Sequence, residues 1–82
     1  MKVKDLAGKI NLRMLSHHTM FRFINFRSHY AISGRIPISK AYSYWGDFSV
    51  NTYFIVYDET ENTIIIDVFI DPDERRTAEN DT

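Results

Sequence analysis

The stretch "VNTYFIVYDETENTIIIDVFI", residues 50–70, consists of two β-rich runs around a polar centre, and its reading decides the fold. β-Branched and aromatic side chains fill both runs, while "DETEN", residues 58–62, supplies the Asp and Asn that favour a turn. This is the pattern of a β-hairpin. Setting Tyr57 opposite Thr63 puts Val50, Thr52, Phe54, Val56, Ile64, Ile66, Val68 and Ile70 on one almost wholly apolar face, the expected core face. Asn51, Tyr53, Ile55, Tyr57, Ile65, Asp67 and Phe69 then form the other face, which is too aromatic for an ordinary wet surface.

Moving toward the N-terminus, "SKAYSYWGDF" predicts a helix of one to two turns, with Ser39 as N-cap and Gly46 as stop. Before it, "MFRFINF" and "YAISGRIPI" flank the polar "RSH" and predict another hairpin. With Phe26 opposite Tyr30, Ile24 meets Ile32 and Arg22 meets Gly34. Met20, Ile24, Phe26, Tyr30, Ile32 and Ile36 are then the core face, and Phe21, Phe23, Asn25, Ala31, Ser33 and Arg35 the outer one. Pro37 closes that strand because it has no N–H to give to a ladder. At the start of the chain, Val3, Leu6, Ala7 and Ile10 fall at helical spacing, and Gly8 keeps the helix short.

The expectation is therefore an α+β domain with a four-stranded antiparallel sheet of two hairpins, each preceded by a short helix, in the order α-β-β-α-β-β. It occupies residues 1–71, and residues 72–82 form a disordered acidic tail without apolar periodicity. A chain of 82 residues with 44% hydrophobic and 15% aromatic content is one small globular domain. The absence of cysteine excludes disulfides and thiolate metal sites. No run of about 20 apolar residues is present to span a membrane. "MKVKDLAGKI" lacks the apolar stretch of a secretory signal, so the expected location is the cytoplasm.

The net charge of -1 conceals an asymmetry: residues 1–40 carry eight basic groups against Asp5 alone, and residues 41–82 carry ten acids against Arg75 and Arg76. Such a split points either to charged partners or to pairing of the two halves within one sheet.

Catalytic and cofactor chemistry finds little support. His17 and His18 are adjacent and point to opposite faces of a strand, and His29 has no companion at helical ligand spacing. Ser28, His29 and Asp67 lack the nucleophile elbow that would make a triad of them. Gly8, Gly34 and Gly46 are isolated, so no phosphate-cradling loop is present. The expectation is a non-enzymatic protein with no cofactor and no metal.

What remains is the outer face of the sheet, where Phe21, Phe23, Tyr53, Tyr57 and Phe69 are expected to project with Arg35 and Asp67 among them. Aromatic residues and Arg are enriched at protein interfaces, which makes this face a partner-binding surface, for a foreign protein or a second copy. Cover by the second helix is another reading of it. Base stacking is a third: Phe21, Phe23, Arg22, Arg27 and Arg35 would then hold single-stranded DNA or RNA.

"MKVKDL", the basic first hairpin, "ISKAYSYWGDF" and "NTIIIDVFI" together resemble, in layout, small α+β accessory proteins of phages and other mobile elements, the anti-CRISPR proteins among them. That resemblance implies a stoichiometric inhibitor of a host defence or nucleic-acid-processing complex in the bacterial cytoplasm. Its partner would be a host protein or protein–nucleic acid complex. Only the acidic stretch from Asp47 to Asp81 has the charge of a DNA mimic. A structural homo-oligomer is the further alternative.

Overall fold

The computed structural model describes residues 1–6 and 18–74. A 3-10 turn at Val3–Asp5 is followed by β1 (His18–Asn25), β2 (Ile36–Pro37), α1 (Ile38–Trp45), β3 (Thr52–Asp58) and β4 (Thr63–Ile70). The strands form one sheet in the order β2-β1-β4-β3. β1 with β2 and β3 with β4 are antiparallel, but the central pair, β1 and β4, is parallel from His18–Thr63 to Asn25–Ile70. The α+β character stands, and the expected all-antiparallel sheet is corrected to a mixed one.

The physical reason is the connection between the two β-pairs. β2 and β3 both run opposite to the centre, and residues 38–51 carry the chain from one edge to the other. A crossover of about a dozen residues, usually with a helix, is what equal strand directions require. Because each crossover-linked edge is antiparallel to its own inner neighbour, the two inner strands must be parallel to each other.

Registered residues share a face. Phe21 and Phe23 of β1 lie beside Ile66 and Val68 of β4, and these are joined by Ile70, all at 0% exposure. Val3, Leu6, Ala41 and Phe48 complete this core, with Tyr42, Trp45, Val50 and Tyr53 against it. Phe23 stacks on Trp45 at 4.9 Å, and Phe21 meets the edge of Tyr42 at 5.9 Å. The N-terminal segment is held to the α1–β3 connection by Val3 N–H to the Phe48 carbonyl (2.9 Å) and Val50 N–H to the Met1 carbonyl (2.8 Å). Gly46 ends α1 with its N–H on the Tyr42 carbonyl, where any Cβ would collide with that oxygen. The helix starts after Pro37, which serves as N-cap in place of the expected Ser39.

Both expected registers are corrected. In the second pair Tyr57 faces Ile64 and Asp58 faces Thr63, a shift of one residue. The Asp58 carboxylate accepts the Thr60 and Glu61 N–H groups at 3.0 and 3.3 Å, and Asn62 adopts φ 49°, so the loop spans 59–62 and Asp58 joins the ladder. A one-residue shift exchanges the faces of a strand. Tyr53, Ile55 and Tyr57 thus share the core side with Ile64, Ile66 and Val68, while Thr52, Phe54 and Val56 lie on the other.

In the first pair Ile24 bridges Ala31 near the turn, but the ladder proper pairs Phe21 with Ile36 and Met20 with Pro37. Extra residues at 32–35 are absorbed where Ile32 and Ser33 N–H both reach the Phe23 carbonyl and Ser33 Oγ accepts the Phe23 N–H at 3.0 Å. A side chain thereby takes the place of a backbone partner. The outcome puts Phe21 and Phe23 inside, with Met20 and Ile24 on the opposite face.

Val3 and Leu6 are buried as the expected helical stripe requires, Val3 on the 3-10 turn and Leu6 in α-helical conformation just after it; Ala7 and Ile10 lie outside the described residues. Glu74, expected in the tail, instead accepts the Ser49 N–H and hydroxyl at 2.8 and 2.7 Å. The rest of that expected tail, 75–82, lies outside the described residues.

Candidate functional site

The residues expected to form one aromatic face do not come together. Phe21 and Phe23 are wholly buried in the core and offer nothing to a ligand. Tyr53 packs on the core from the β3 side, and Tyr57 stands on the same side but half exposed, with its hydroxyl bonded to Asn62 Oδ1. Asp67 and Phe69 point to the opposite face. Phe69 is clasped there between His29 and Phe54, both ring pairs edge-on at 5.7 Å.

The charges resolve in the same way. Arg22 Nε and Nη2 donate to the two oxygens of Asp67 at 2.9 and 2.8 Å, a bidentate fork between directly registered residues. That bond holds the Arg22 pKa above its ordinary value. Arg35 pairs with Asp58 at 3.0 Å, tying the segment before β2 to the end of β3, and Arg27 reaches Asp71 at 3.5 Å. The Glu61 N–H, ahead of the Arg35 contact, holds the Asp58 carboxyl below its usual range. The Ser49 N–H, then its hydroxyl, does so for Glu74. Among the described residues, cations of the basic first half are thus paired with carboxylates of the acidic second half.

A shallow depression of about 460 Å³ is lined by Phe26, Ser49, Val50, Asn51, Asp71 and Glu74. Its two acids are already engaged, Asp71 by Arg27 and Glu74 by Ser49. Among the described residues no three of His, Cys, Asp and Glu gather as metal ligands would, and no helix is long and apolar enough to cross a membrane.

The surface that stands out shares only Tyr57 with the expected site. Among the described residues β3 is an outer strand of the sheet, and Phe54, Ile55, Val56 and Tyr57 in its middle are 56%, 53%, 44% and 50% exposed. Both faces of the strand are thus apolar and open. Alternate residues of such a strand direct N–H and C=O groups outward, so polar backbone lies between apolar side chains. The sequence signal was the unbroken run "TYFIVY", 52–57, in which neither parity is polar as a half-solvated strand would require. Compared with protein families, curated proteins and solved structures, the chain finds no match in any of the three.

Proposed function

We propose that this chain is a non-enzymatic protein-binding module that engages its partner by strand addition along the open edge of β3. The observation that carries the reading is the run of four half-exposed apolar residues, 54–57, on an outer strand with no Lys, Pro or Gly within it. Strand addition uses both features present there: backbone groups supply affinity, and alternating side chains supply selectivity. Nucleic-acid binding has lost its platform in this reading, because Phe21 and Phe23 are in the core and Arg22, Arg27 and Arg35 each hold a carboxylate. The layout resemblance to mobile-element accessory proteins adds a partner class, a host defence or nucleic-acid-processing complex bound without turnover.

The test places a photo-crosslinking residue at position 55 and, as control, at Tyr44, which is even more exposed but on α1. Irradiation in cells is expected to join position 55, and not position 44, to a defined protein chain, either foreign or another copy. No crosslink at 55 above the control overturns the reading.

A further inference from the structure

The open strand is also complementary to itself. We infer that a second copy of this chain docks on β3 in antiparallel fashion about a two-fold axis at Ile55, making one continuous eight-stranded sheet. The inference rests on the strand-addition reading and assigns the edge to a second copy in place of a foreign chain.

The apolar run 53–57 is centred on Ile55. A two-fold axis there sets Ile55 against its counterpart, Phe54 against Val56, and Tyr53 against Tyr57, so every apolar residue meets an apolar one. Aromatic–aromatic and aromatic–β-branched neighbours are the favourable cross-strand pairs. Asp58 meets Thr52, and no like charges are opposed.

The acidic end of β3, with Asp58, Glu59 and Glu61, disfavours parallel docking, which would lay it against its own copy; at the other end Lys2 and Lys4 are already paired with Glu74 and Asp47.

Closure is the third argument. The outer edges of the joined sheet would be the two β2 strands, each only Ile36–Pro37. Two residues, one without an N–H, give no template for a further copy, so assembly stops at the dimer. The area sets its strength. Side chains about half exposed, with aromatics of roughly 150–250 Å² each, remove on the order of 400 Å² per copy. That is the scale of a weak, concentration-dependent complex.

The experiment is sedimentation velocity on the full chain across a dilution series, alone and as Ile55→Lys and Ile55→Glu, with Tyr44→Lys as control and circular dichroism confirming that each variant is folded. Wild type and Tyr44→Lys are expected to pass from monomer to dimer with concentration. Each Ile55 variant alone should lose at least tenfold in association, since like charges then face each other across the axis. Mixing the two in equal amounts should restore the dimer. A wild type that stays monomeric overturns the inference, as does a dimer insensitive to both Ile55 variants. In either case a crosslink from position 55 to a foreign protein leaves the strand-addition reading standing.

Discussion

At one edge of the sheet stand two residues, Ile36 and Pro37; at the other stand seven, Thr52–Asp58. The β2 edge is short, carries a proline and passes at once into α1, which are the usual ways of denying an edge to foreign strands. The β3 edge has none of these. Its middle four residues are large, apolar and half exposed, and its only charge is the terminal Asp58. Sheets with one sealed edge and one open edge have a direction in which they can grow. The contrast teaches that in this chain hydrophobic surface follows position in the sheet more than residue type, since Phe21 beside β2 is sealed and Phe54 on β3 is open.

The contrast is tested most severely by truncating those two phenylalanines. Phe21→Ala removes a fully buried ring next to Phe23 and Tyr42, and should cost about 3–5 kcal/mol. In a domain of this size that consumes most of the stability, and the thermal melt followed by circular dichroism should lose its cooperative transition. Asp67→Ala acts between the edges, on the β4 strand that β3 leans on. Its side chain is 11% exposed and holds the Arg22 fork, but Arg22 itself keeps 39% of its surface in water. The expected loss is about 1–3 kcal/mol, less than for a fully buried pair, read from the urea midpoint.

Phe54→Ser on the open edge should cost only about 1 kcal/mol, the edge-on contact with Phe69 being its main internal partner. Its larger effect should appear in association, where the concentration needed for half-dimerisation rises at least fivefold. Equal stability loss for Phe21→Ala and Phe54→Ser would abolish the distinction between the edges.

The smallest effect concerns Glu74, which fastens the connection leading into β3. Its folded pKa is lowered, chiefly by the Ser49 N–H. The unfolded state therefore takes up the proton first as pH falls, and the stabilisation, complete above the ordinary glutamate value of about 4.3, is lost through and below it. Asp58 titrates in the same direction. Glu74→Gln should melt slightly lower than wild type at pH 7, by less than about 1 kcal/mol, and the gap should narrow as the pH falls below the ordinary glutamate value. A gap that widens on acidification would contradict the assigned contact.

Much of this architecture is legible in the residues. The strands at 18–25 and 63–70, the helix before Gly46, and the burial of Ile64, Ile66, Val68 and Ile70 follow from apolar runs and their punctuation. The registers do not follow in the same way. "TYFIVY" and "TIIIDVFI" are apolar at both parities, so pattern cannot separate Tyr57–Thr63 from Tyr57–Ile64, and the Asp58 side chain in the turn makes the choice. In the first pair Ser33 Oγ replaces a backbone acceptor, which spacing alone does not announce. The β3–β4 shift brought Phe54 and Val56 out, while the pairing of β1 with β4 set Phe21 and Phe23 beside Ile66 and Val68 on the core side.

From its residues alone this chain is a small cysteine-free α+β domain with two β-rich pairs, a helix between them, and more aromatic surface than one core absorbs. These are properties of composition and local periodicity, and they need no knowledge of what lies beside what. The parallel centre, the pairing of Arg22 and Arg35 with Asp67 and Asp58, and the choice of β3 as an outer strand belong to the tertiary structure. They depend on how the 38–51 crossover sets one β-pair against the other, a long-range arrangement that no single segment encodes.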